Sequence, residues 1–110
     1  MRRRRARPAP KTLLRLLHKA ALQINKTHTD EGDPLYGSTV GETITLALQT
    51  CLRDGGPHLA VMTLVHELIH LHDFALPERD VEHLARSYER NYQLLYRCAL
   101  AIIERLAEKI

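Results

Sequence analysis

The sequence predicts an α+β domain that is mostly helical, with three main helices and a small β-sheet or hairpin before the second of them. Three observations carry this reading. Apolar residues recur at helical spacing in three separate segments. One stretch between the first and second, "TITLAL", alternates with β-branched residues in strand fashion. Clusters rich in Gly, Pro, Asp and Ser separate these segments. At 110 residues with 45% hydrophobic content, the chain is long enough for one domain with a small core.

The first ten residues, "MRRRRARPAP", read as a basic flexible arm closed by Pro8 and Pro10, leaving residues 11–110 as a single domain. "KTLLRLLHKAALQI" then places Leu13, Leu16, Leu17, Ala20 and Ile24 on one face, with Arg15, Lys19 and Gln23 opposite, which predicts a helix over 11–25. His18 falls at its surface. "NKTHTDEGDPLYGSTVGE" is a loop with a turn at Asp33-Pro34 and a short strand around Leu35–Tyr36. Thr43 to Leu46 form the best strand candidate. "RDGGP" is a second break, and Pro57 suits the first turn of the helix that follows, about Pro57–Ala75. Pro77 ends the next connection and Asp80 is placed to cap a last helix with its stripe on Val81, Leu84, Ala85, Tyr88, Leu95, Ala99, Ile102 and Leu106. Some 30 residues would span roughly 45 Å. Such a length implies a kink near Asn91, or a C-terminal half packed on another chain in a homo-oligomer.

Composition narrows the setting. Nine Lys/Arg and no acid fall within residues 1–29, and 13 acids against seven Lys/Arg follow, so a +9 arm is joined to a −6 body. The arm, Arg2–Arg7 above all, can bind nucleic-acid phosphates or anionic lipid, or simply remain a solvated tail. No apolar run approaches the roughly 18 residues of a membrane span. No continuous apolar segment follows the arginines as in a secretory signal; an organellar transit peptide is matched only loosely. Cys51 and Cys98 form no C-x-x-C pair and fit reduced core thiols of a cytoplasmic protein, with one disulfide as the alternative. Five aromatics and no Trp make base-stacking platforms a poor fit.

The chemistry concentrates in "VMTLVHELIHLHDF". His66 and His70 stand one turn apart on one face, so both imidazoles can reach one ion. Glu67, offset by one position, is turned from direct ligation yet close to water on that ion. This H-E-x-x-H spacing is that of zinc hydrolases: two neutral imidazoles hold Zn²⁺, the ion acidifies water, and the carboxylate takes the proton as general base. Seven His and eight Glu give the pattern by chance at a level of a few per cent, so context matters. Residues 59–71 hold no other charged side chain, and a carboxylate in so apolar a helix costs several kcal/mol unless paired.

A hydrolytic zinc keeps three protein ligands and one open position. Candidates for the third are His72, Asp73, Asp80, Glu82 and His83. His72 points well away from His70. Asp73 can hydrogen-bond near the site. A histidine six residues after His70 would mark the metzincin type, but Leu76 stands there. Glu82, in the first turn of the last helix, is favoured as the metal ligand, with His83 next; its bland alternative is charge complementarity at a helix N-terminus.

"TLVHELIHLHD" followed by "DVEHLARSY" resembles small Glu-type zincins (gluzincins), including phage-encoded ones and the peptidase domain of the ImmA/IrrE group. The similarity covers about residues 35–95 and is specific at "HELIH", moderate at "VEHLA" and weak at "LYGSTVGETITLAL". It implies a minimal zincin-like domain in which His66, His70 and Glu82 bind Zn²⁺ and Glu67 is the base of a metallopeptidase. It also implies that "TITLAL" is a sheet edge on which an extended peptide or protein substrate lies antiparallel. The basic arm and long last helix are outside that pattern. Candidates for stabilising an oxyanion are His83, Tyr88 and Tyr36.

Two other functions compete. A nucleic-acid-associated regulator would use the arginine arm and keep the metal site as a relic. A zinc-stabilised helical scaffold or dimer would have no need of Glu67.

Overall fold

The alternation in "TITLA" places Ile44 and Leu46 on one face of a strand, and both are fully buried. This strand is the centre around which the described residues, 10–25, 29–30, 33–34, 36–73 and 75–109 of a computed structural model, are arranged. The order is α1 (Pro10–Lys19), β1 (Ala21–Asn25), β2 (Thr29–Asp30), β3 (Asp33–Pro34), β4 (Gly37–Val40), β5 (Thr43–Ala47), α2 (Leu48–His72), α3 (Glu78–Asn91) and α4 (Gln93–Ala107). A mostly helical α+β chain with a small sheet before the histidine-bearing helix is thus what the molecule shows. The described residues form four helices where three were expected. Arg2–Arg7 and Leu35 lie outside the described residues.

The sheet has the order β1-β5-β4, with β1 parallel and β4 antiparallel to β5. β5 is therefore the central strand, which corrects the expectation that "TITLAL" forms an edge; the edges are β1 and β4. The β4–β5 hairpin turns at Gly41-Glu42, where Gly41 takes a φ of 60° that a side chain would disfavour. β2 and β3 form a separate two-stranded pair.

The first helix ends sooner than expected, at Lys19. Leu22 and Ile24 then share a face by period two, not by helical spacing, and both pack on the core from β1. Within α1, Leu13 and Leu17 are buried while Lys11, Arg15 and Lys19 are exposed. The next helix also starts earlier than Pro57. Leu48 and Cys51 are buried at helical spacing, so "LQTCLRDG" is already helix. The break at "RDGGP" contracts to one residue, Gly56, with φ 73° and ψ −166°, a region open essentially to glycine alone. Pro57 follows, where its fixed φ and missing N–H restart the helix without loss.

Beyond the kink, Ala60, Val61, Leu64, Val65, Leu68 and Ile69 are buried. α3 covers them with Val81, Leu84 and Ala85. α4 contributes Leu95, Ala99 and Ile103 to the same core, so its apolar stripe finds its partner within the chain. The long last helix is broken at Tyr92, whose φ of −140° and ψ of 78° are not helical; the kink expected near Asn91 is present. Leu94 is the large hydrophobic side chain left exposed among the described residues. Among the described residues no helix is long and apolar enough to cross a membrane. Both cysteines are free, Cys51 buried and Cys98 half-buried.

Candidate metal centre and cleft

A regular helix brings residues four apart onto one face, and α2 does so with His66 and His70. Their Nε2 atoms lie 3.1 Å apart and their rings meet edge to face at 4.8 Å. The chain leaves α2 at Asp73 and re-enters a helix at Glu78, capped by the extended Pro77. This short connection folds α3 back against α2. It sets the Glu78 carboxylate over both imidazoles, with Oε2 3.0 Å from His66 Nε2 and Oε1 2.5 Å from His70 Nε2. The three residues form a group whose possible ligand atoms all lie within 4.8 Å of one another.

The donor chemistry fits a divalent cation. Glu78 can accept one N–H from each imidazole, but then no proton lies between two ring nitrogens in contact. One cation among the three meets every lone pair at once. Bonds of about 2.0–2.1 Å in a tetrahedral site put ligand atoms about 3.3 Å apart, near the 3.1 and 3.0 Å that His66 Nε2 keeps from His70 and Glu78 and wider than the 2.5 Å between Glu78 and His70. The imidazoles are 21% and 16% exposed and the Glu78 side chain 67%, so the group is open to solvent on one side.

The third member is Glu78, one helical turn before the expected Glu82. The cause is where α3 begins. A cap at Asp80 would put Glu82 in the first turn, but the helix starts at Glu78, with Glu78 and Asp80 the acids of that turn. Acids there also complement the helix dipole. Glu82 is exposed and lines the neighbouring cleft.

Glu67 points into that cleft and is only 7% exposed. The Thr39 hydroxyl, on β4, donates to Glu67 Oε1 at 2.7 Å; it also lies 3.2 Å from the Glu67 carbonyl. The single hydroxyl proton belongs on the shorter, charge-assisted contact. A buried carboxylate is thereby partnered and oriented. Thr39 sits in the weakly patterned "GSTV" and carried no signal of this role; only the strand pairing that sets β4 beside α2 reveals it.

The cleft has a volume of about 390 Å³. Its floor is α2, with Leu59, Met62 and Thr63 leading up to His66 and Glu67. Tyr36 and Gly37 form one side, and Glu82, Ala85 and Arg86 of α3 the other. The Tyr36 hydroxyl donates to Asp54 at 2.9 Å. That bond, with some burial and the charge of Asp54, raises the phenol's pKa above its usual 10.0. Asp54 is held below the usual carboxylate range, by Arg53 first and Tyr36 second.

The remaining candidates stand elsewhere. Asp73 caps α2, and its Oδ1 accepts the Ala75 N–H at 2.9 Å. His83 is exposed and lines a separate small pocket with Leu76, Asp80 and Leu84. Tyr88 is half-buried against the core. Neither His83 nor Tyr88 lines the cleft. His72 is exposed near the end of α2.

Comparison of the chain with protein-family models, with curated proteins and with solved structures finds no match in any of the three.

Proposed function

We propose that this chain is a zinc-dependent metallopeptidase in which His66, His70 and Glu78 hold the ion and Glu67 is the general base. One observation carries the reading: two imidazoles and a carboxylate converge on a solvent-open point beside a buried glutamate aimed into a cleft. A bound divalent cation would act there as a Lewis acid toward water and the scissile carbonyl. Glu67, kept in place by Thr39, would take a proton from the attacking water and pass it to the departing amine. The carbonyl carbon gains the hydroxyl, and the C–N bond breaks. β4 is an edge strand whose first residue, Gly37, lines the cleft, which suits an extended peptide added as a further strand.

The test is Glu67→Gln, loaded with zinc and compared with the parent chain on a denatured protein substrate. The variant is expected to bind zinc as before and to hydrolyse nothing measurable. Hydrolysis at the parental rate would overturn the assignment of Glu67.

A second reading has one observation of its own. α1 exposes Lys11, Arg15 and Lys19 at four-residue spacing, while its apolar face is in the core, and the arginine-rich arm directly precedes it. Such a face offers charge to phosphates rather than apolar side chains to lipid. It would localise the chain on nucleic acid, with or without catalysis. Binding to duplex or single-stranded nucleic acid should weaken steeply with salt and fall on deletion of residues 1–9. Unchanged binding after that deletion, or no binding by the full chain, dismisses this reading.

A further inference from the structure

The cleft has a direction. Its floor follows α2 backward from Glu67 and His66 through Met62 to Leu59. α3 runs alongside, presenting Glu78 at the metal group, Glu82 one turn on and Arg86 two turns on, about 12 Å from Glu78 along the axis. Beyond Leu59 and Arg86 the two helices are tied together by the His58–Glu89 ion pair, and the His58 ring packs against Tyr96 at 5.9 Å. This pair lies past the end of the groove farthest from the metal group, where Leu59 and Arg86 are the last lining residues. An extended chain covers about 12 Å in three to four residues.

β4 fixes which end of a peptide would lie there. A Cβ on Gly37 would come within 2.8 Å of Thr63, while Thr39 reaches Glu67. The strand therefore runs from the Arg86 end toward the metal group. A peptide added to β4 in the more stable antiparallel sense runs the opposite way, with the residues after the scissile bond in the groove and its C-terminus toward Arg86. Charge agrees. Outward from the metal group the wall presents Glu82 and then Arg86, neither of them in an ion pair among the described residues. A peptide amine at that end would face Arg86; a terminal carboxylate would be its complement.

The geometry points to a cleft built for the C-terminal end of a peptide, with Arg86 binding the terminal carboxylate and a fragment of about three residues released. This rests on the peptidase reading above and adds its substrate class.

The test separates the two. Zinc-loaded Glu67→Gln chain is immobilised and offered two random hexapeptide libraries of equal composition, one with free C-terminal acids and one with C-terminal amides. Retention of the acids is expected to exceed that of the amides by about tenfold or more, as for a hydrogen-bonded charge pair. Arg86→Ala should erase the difference and Arg86→Lys should keep part of it. Equal retention of acids and amides, or retention of neither, overturns the inference. In parallel, the zinc-loaded parent chain is incubated with both libraries and the products are read by mass spectrometry. Carboxylate-dependent retention without any cleavage would remove the peptidase reading and leave the recognition of C-termini standing. Cleavage of acids and amides alike would do the reverse.

Discussion

Thr39 shows how much one hydroxyl can decide. Glu67 sits in the apolar part of α2 with its Oε1 on that hydroxyl at 2.7 Å, and a buried carboxylate that loses a donor bears the desolvation uncompensated. Thr39→Val keeps the β-branched shape that suits β4 and removes only the donor. It should destabilise the fold by about 1–3 kcal/mol, leave zinc binding unchanged, and lower any peptidase rate; urea midpoints at constant m-value measure the first. A midpoint equal to the parent's would mean that water replaces the hydroxyl at no cost. Cys51 makes a second residue-scale case. Burial raises its thiol above the usual 9.0, and a raised thiol contributes stability that is complete below the unfolded value and lost as pH climbs through the folded one. Below pH 9 a thiol reagent should label half-buried Cys98 and spare Cys51 until urea is added. Equal labelling of both in the native chain would contradict the packing around Cys51. Sequence spacing showed His66, Glu67 and His70 because helical geometry alone fixes their relation. It could not show Thr39, whose partner is 28 residues away.

At the scale of elements, the kink that divides α2 rests on one residue, Gly56. With φ 73° and ψ −166° it occupies a region that a Cβ makes unfavourable, though no atom stands within 4 Å of where that Cβ would lie. The cost of Gly56→Ala is therefore backbone strain and not a clash, about 1–3 kcal/mol, to be read from chemical denaturation. A variant as stable as the parent would mean that α2 does not bend there. "TITLA" was recognisable as a strand from its period of two. Residues 21–25 read as a continuation of the first helix because Ile24 also falls on the helical repeat that Leu13, Leu17 and Ala20 set. "RDGGP" marked a break correctly in place but not in size, since one left-handed glycine can bend a helix without a loop. The position of β5 in the middle of the sheet depends on β1 pairing from across a stretch that carries no pairing signal.

The whole molecule depends on how α3 returns to α2. Locally, Glu78 and Glu82 are equivalent: both acidic, both near the start of one helix, four residues apart on one face. Only the length of the Asp73–Pro77 connection and the point where α3 begins select Glu78 for the imidazoles and leave Glu82 to the cleft wall, which is why the sequence reached the right helix and missed by a turn. α4 completes the core against α2, and Ile103→Ala should cost about 2–5 kcal/mol in global unfolding, as its full burial implies; a loss well below that range would mean that α4 docks loosely. The central claim is that His66, His70 and Glu78 hold one divalent cation. Its most direct measurement is zinc affinity, by competition with a chelating dye, for the parent chain and for Glu78→Ala and Glu82→Ala. One zinc per parent chain is predicted, with Glu82→Ala binding as the parent does and Glu78→Ala weakened by more than the roughly 10–100-fold that loss of an outer-shell partner causes. A parent chain that takes up no zinc, or a loss confined to Glu82→Ala, would contradict it.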